Sequence, residues 1–423
     1  MRPKPLPPHR VCRPPTPRPR VIPGSRPAAA LLLAAALTSC TTAPKSVESS
    51  TPATTSIGAE PIVTPVLVDV VAEPVPVPAT DGKVHLAYEL LLTNTSPEPV
   101  TVDSIAVLGP AGPLLQLSGA GLAYWTRTMG TRISSNDLAP GQRSIVWLDV
   151  KLDAGGAAPQ QLSHRVVVKV PKPMPPLVPP VVTENVAPVT VSDHKPVVLD
   201  PPLRGSGWLD ANGCCDMTPH RMALNPIDGK LWAAERFAID YEQLRADGQL
   251  FSGDRAKTDS YLYFGSDVHA VADGPVVAVL DGLPEQVPGV DPTGLTLAQY
   301  GGNHVVQDIG NGNFAFYAHL KTGSVKVKPG DRLTTGQVLG NVGNTGNSSA
   351  PHLHFHVMSA PDPLRADGLP FVFRSFRLTD RLANMAAVDA LEAGGPARPE
   401  PGFTARAENN VSPLNLDVMT YDN

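Results

Sequence analysis

The sequence predicts a mainly β protein in two parts, an antiparallel sandwich followed by a second antiparallel β domain. Short apolar runs alternate with polar residues and are broken by Gly and Pro turns from about Pro61 onward. A helical pattern is hardly seen before Leu378–Leu391. The 48 prolines and 36 glycines concentrate at the amino end and in connecting segments. At 423 residues the chain is long enough for two or three domains. Its net charge of −5 argues against a nucleic-acid-binding surface, which normally needs a basic patch.

Residues 1–40 read as an export signal. A basic, proline-rich leader precedes the apolar run AAALLLAAALTSC, too short to span a membrane. Its ending, Leu37-Thr38-Ser39-Cys40, resembles a bacterial lipobox. That resemblance implies cleavage before Cys40, lipidation of Cys40, and a mature protein tethered to a membrane outside the cytoplasm. Residues 41–60 are rich in Ser, Thr, Pro and Ala and read as a flexible tether.

Residues 61–171 read as the sandwich. Val84, Leu86, Tyr88, Leu90 and Leu92 alternate with His85, Ala87, Glu89 and Leu91. Similar runs follow at Val100–Leu108, Ser144–Leu152 and Arg165–Val170, with turns such as Ala139-Pro140-Gly141 between them. The arrangement looks immunoglobulin-like. His85 and His164 have no ligand spacing and read as ordinary strand residues, so this domain reads as a spacer or binding module. Residues 172–200 open with KPMPPLVPP and read as a proline-rich linker.

The second domain, 201–375, holds strand patterns at Val268–Leu280, Asn303–Asp308, Asn313–Leu320 and Ser324–Val327. The remainder, 376–423, reads as an extension with one helical stretch and an irregular tail that packs over the domain. Cys214 and Cys215 are adjacent and lack zinc-motif spacing, leaving a vicinal disulfide, an interchain disulfide or free thiols open.

The chemistry concentrates here. Seven of eleven histidines lie from His220 to His356. The stretch GQVLGNVGNTGNSSAPHLHFHV is a glycine-rich loop feeding a strand whose His352, His354 and His356 alternate with Leu353, Phe355 and Val357. Residues i, i+2 and i+4 of a strand share a face, so three imidazoles lie along about 13 Å of one side. Imidazole is the commonest side-chain metal ligand and a common general base.

Together with NHVVQDIGNGNFAFYAHL and ERFAID, this stretch resembles the LytM/lysostaphin-like zinc metallopeptidases over about 201–373. The resemblance implies an antiparallel β domain with a groove, one zinc, and cleavage of peptide bonds in peptidoglycan. It carries the ligand of the H-x-H pair onto His354, the catalytic histidines onto His319 and His352, and the metal-binding aspartate onto Asp240. The family usually has His-x-x-x-Asp, but Arg236 stands four residues before Asp240, and guanidinium is a poor metal ligand. His220 is the first choice for the third ligand, with His304 and His356 in reserve. The alternative implied by Arg236 is a degenerate domain that binds cell wall or regulates another hydrolase. Oligomeric state is not legible.

Overall fold

The computed structural model describes residues 62–422. The leader, the tether and Cys40 lie outside these residues. Two five-stranded antiparallel sheets come first. One orders β1 (Val66–Val70), β2 (Lys83–Asn94), β5 (Arg143–Asp153) and a short strand at Thr126–Thr128, with Pro76–Pro78 paired to β2. The other orders β7 (Val181–Thr190), β6 (Gln161–Lys169), β3 (Val100–Gly109) and β4 (Gly112–Ser118), with Asp137–Leu138 on β3. One core joins them: Leu86, Tyr88, Leu90 and Leu92 of β2 share a cluster with Val102, Ile105 and Val107 of β3 and Val166 and Val168 of β6. The i, i+2 alternation that marks a strand thus also selects its inward face.

The opposite face of β2 is not solvated. His85, Ala87 and Glu89 are all buried, and Ala87 belongs to the core of the second part of the chain. A strand with one apolar and one mixed face reads from sequence as half exposed. Here the mixed face is a seam.

That second part centres on an eleven-stranded sheet. It runs Arg332–Leu333, β10 (Gly274–Leu280), β11 (Asn303–Asp308), β12 (Phe314–Leu320), β13 (Leu353–Met358), β9 (Ile239–Gln243), β8 (Gly205–Ala211), β15 (Asp417–Tyr421), β14 (Phe376–Arg381) and Arg406–Glu408, with Gly368–Leu369 paired to β13. Leu353, Phe355 and Val357 of β13 join Tyr241 of β9 and Tyr317 of β12 in the main core.

Four expectations change. Residues 172–200 are more than a linker: Val181–Thr190 pairs with β6 along its length, and Val197–Leu199 pairs in parallel with Phe371–Phe373. The tail is integral, because β15 lies between β8 and β14 and buries Val418, Met419 and Tyr421. The helical stretch at Leu378–Leu391 divides into β14 and a helix at Met385–Glu392, whose Asn384 side chain accepts from the amide of Ala387. Ser324–Val327 is loop, with Val325 and Val327 half-buried against the core. Among the described residues no helix is long and apolar enough to cross a membrane.

Candidate metal centre

Strand β13 presents Leu353, Phe355 and Val357 to the core, and His354 and His356 project from its other face. Its neighbours set what meets them. Asp240 of β9 lies in register with His354 on one side, and Ala318 of β12 lies in register with it on the other. The carboxylate of Asp240 reaches three imidazoles: Oδ1 lies 2.9 Å from His354 Nδ1 and 3.3 Å from His352 Nε2, and Oδ2 lies 3.1 Å from His220 Nε2. Asn212 Nδ2 donates to Oδ2 at 2.9 Å.

His319 arrives by a different route. Regular alternation from Tyr317 would send it into the core. In the β11–β12 ladder, Val305 pairs with Tyr317 and Asn303 with Leu320, so two residues of β12 oppose the single His304. This bulge, with φ of 58° at His319, re-aims the side chain. Its ring centroid then lies 4.7 Å from that of His352 and 5.7 Å from that of His354.

His220 comes from outside the sheet, on a four-residue helix, α1 (Pro219–Met222), capped by Thr218. Its ring centroid stands 4.8 Å from that of His354.

Backbone carbonyls determine which nitrogen carries each proton, since a carbonyl only accepts. Nδ1–H of His220 donates to Ala238 O at 3.0 Å, that of His319 to Thr345 O at 2.8 Å, and that of His352 to Ala350 O at 2.8 Å. In their neutral forms all three present a bare Nε2. His354 Nε2 lies 2.8 Å from His356 Nδ1, which leaves His354 Nδ1 facing Asp240.

Electrostatics separates the histidines. Burial pushes the imidazole of His319 well down, and His352 and His354 push it further. Burial opposes protonation of His352 too, but the Asp240 carboxylate outweighs it and holds that imidazole above its usual range. Asp240 itself is held well below the usual carboxylate range: burial acts the other way, but His220 and His352 prevail.

The donors suit a divalent cation. One nitrogen each from His220 and His354 and one oxygen from Asp240 lie within 4.8 Å of one another, and His319, His352 and His354 form a second such group. Two imidazoles and a carboxylate form a set that zinc accepts, with each ligand's far atom already bound. Asp240 and His352 line a cavity of about 300 Å³ together with Asn212, Glu242, Tyr261 and Glu392. His304 and His356, the reserve third ligands, stand elsewhere. His304 bonds Gly302 O and packs on Phe316, and His356 sits behind His354.

Arg236 does not stand at the centre. Its guanidinium turns away to Glu89 of β2, with Nε donating to Oε1 at 2.9 Å and Nη2 to Oε2. The sequence offered no signal for this pairing across 147 residues. Cys214 and Cys215 form a vicinal disulfide near the seam.

Residues 259–366 match the family model described as Peptidase family M23. The glycyl-glycine endopeptidase ALE-1 of Staphylococcus capitis is 33% identical over 124 residues, which is 28% of this chain and 29% of that protein. Lysostaphin of Staphylococcus simulans is 31% identical over 175 residues, 38% of this chain and 29% of its own length. The chain therefore spans less than a third of either relative. Among solved structures, the lysostaphin catalytic domain from S. simulans is 21% identical, covering 39% of this chain and 88% of its own, with a TM-score of 0.21. Residues 259–366 thus form a segment similar to peptidase family M23, shared with these endopeptidases.

Proposed function

We propose that the protein is a zinc-dependent endopeptidase that cleaves peptide bonds in peptidoglycan. One observation carries the reading: Asp240 lies within 3.3 Å of His220, His352 and His354, and His319 is turned toward the same point. His220, Asp240 and His354 would hold the metal, the third ligand coming from outside the sheet. Zinc bound there would supply Lewis acidity, polarising a peptide carbonyl and acidifying a water.

The chain's own residues divide the proton work. His319 is neutral with its proton fixed on Nδ1, so its Nε2 is suited to accept a proton from the nucleophile. His352 turns Nε2 toward the centre, 3.3 Å from Asp240 Oδ1, and in its protonated form is suited to donate from there to an oxygen gaining charge. One imidazole placed to accept a proton and one to donate it are the arrangement acid–base catalysis calls for. The peptide would approach through the cavity at Asp240 and His352. Relatives named glycyl-glycine endopeptidase and peptidoglycan DD-endopeptidase support cell-wall peptides as the substrate class.

The regulatory alternative drew on Arg236; the pairing of its guanidinium with Glu89, away from the centre, supports the peptidase reading. We further read Cys40 as a lipid anchor holding the mature protein outside the cytoplasm. Cys40→Ala should move it from the membrane to the soluble fraction and end labelling by a fatty-acid probe. Persistent labelling would refute the anchor.

Zinc content and muropeptide products test the main reading together. His220→Ala, Asp240→Ala and His354→Ala should each lose bound zinc. His319→Ala and His352→Ala should keep most of it and lose about 10²–10⁴-fold in cleavage. A folded wild-type protein without zinc would return the domain to a binding or regulatory role.

A further inference from the structure

The helix that carries His220 has four residues, too few to be stable alone. It is held largely from the sandwich. Trp147 Nε1 of β5 donates to the carbonyl of Arg221 at 2.6 Å. The Arg221 guanidinium, 1% exposed, donates to Leu148 O at 3.2 Å and to Cys215 O at 2.9 Å. Its Nε has no hydrogen-bond partner and lies 3.8 Å from Glu89 Oε1. The same Glu89 binds Arg236, which opens the segment holding Ala238 and Asp240. Glu89 and Trp147 lie directly opposite each other on β2 and β5, 0% and 3% exposed.

One buried carboxylate therefore ties together two arginines. One is adjacent to His220. The other lies two residues before the carbonyl that orients His220 and four before Asp240. Without the charge of Glu89, two buried guanidiniums would face each other with no carboxylate between them, Asp149 and Asp216 acting on Arg221 only more weakly, and leaving buried charge poorly paired is strongly unfavourable. The two segments would separate, and they carry two of the three donors.

We infer that Glu89 and Trp147 are positioning residues of the metal centre, so that the sandwich sets the spacing between His220 and Asp240. The inference rests on the metal reading above. It assigns the amino-terminal domain a part in the site rather than a spacer role, and it gives Arg236 a function in place of metal binding.

The test uses the full chain. Zinc affinity is measured by competition with a chromophoric chelator, and site geometry by the visible spectrum of the cobalt-substituted protein. Glu89→Gln and Trp147→Phe should each weaken zinc about 10–100-fold, the range for residues that orient ligands, and should alter the cobalt spectrum, while circular dichroism stays native. Glu89→Asp keeps the charge and should recover part of the affinity. If Glu89→Gln does not fold, Trp147→Phe, which keeps an aromatic ring and removes one donor, carries the same test. Folded variants with wild-type zinc affinity and an unchanged cobalt spectrum would overturn this inference alone. A wild-type chain that binds no zinc would overturn it together with the peptidase reading.

Discussion

His354 shows how much of the centre depends on a single side chain's neighbours. Its Nδ1 faces Asp240 only because Nε2 is engaged by His356 Nδ1 at 2.8 Å. His356 is 1% exposed and packs against Phe316, with ring centroids 5.1 Å apart, so it has little freedom to move away. With zinc held by His354 Nδ1, His356 Nδ1 would accept from His354 Nε2–H and fix that ring. His356→Gln keeps an acceptor and should retain zinc affinity near wild type. His356→Leu removes it and should weaken zinc by about 10-fold or more. Equal affinities in the two variants, read by chelator competition, would rule out this role.

At the scale of elements, the site rests on irregularities in otherwise regular strands. The bulge at Ala318-His319 turns one residue out of the core face. Beside it, Gly343 bridges to His352 where two backbones nearly touch. A Cβ there would lie 2.3 Å from Lys321 N, against main chain that cannot rotate aside. Gly343→Ala should therefore cost about 1–3 kcal/mol and displace both His352 and the β12 end that carries His319. Thermal unfolding should begin several degrees lower, and cleavage should fall more than zinc content does. A variant with wild-type melting and activity would show that the close approach is not needed.

The whole molecule is joined by a seam containing buried charge, which makes its stability depend on pH. His85 on β2 is 1% exposed and bonded through Nδ1 to Asp149 at 2.8 Å and through Nε2 to Asp81 at 3.1 Å. Burial disfavours its charge, but the two carboxylates outweigh burial and raise its pKa to about 9. The folded value lies above the unfolded value of about 6.5. Its contribution is therefore full below about pH 6.5 and lost as pH rises through about 9, up to roughly 3 kcal/mol. Denaturant midpoints should fall between pH 6 and pH 10 in the wild type and fall less in His85→Asn. Parallel slopes would remove His85 from the account.

The division between what was legible and what was not follows the range of each interaction. Strand alternation is a local property, so the mainly β class, the pairing of Leu353, Phe355 and Val357 on one face and the shared direction of His354 and His356 could be read directly from residue order. Glycine-rich turns before His352 were equally plain, because left-handed backbone and close approach demand glycine locally. His319 was reached by resemblance alone. Its direction depends on a bulge against His304, and nothing in FAFYAHL signals that extra residue. The placement of β15 inside the sheet, the buried face of β2, and the carboxylate shared by Arg221 and Arg236 were decided by the tertiary structure. Each includes a contact between segments more than a hundred residues apart, such as β15 with β8, where pairing depends on which surfaces meet rather than on any local pattern. Arg236 read as an obstacle to metal binding because its sequence neighbours include Asp240. In the folded chain its partner is Glu89, since a buried guanidinium must find a carboxylate wherever the fold brings one.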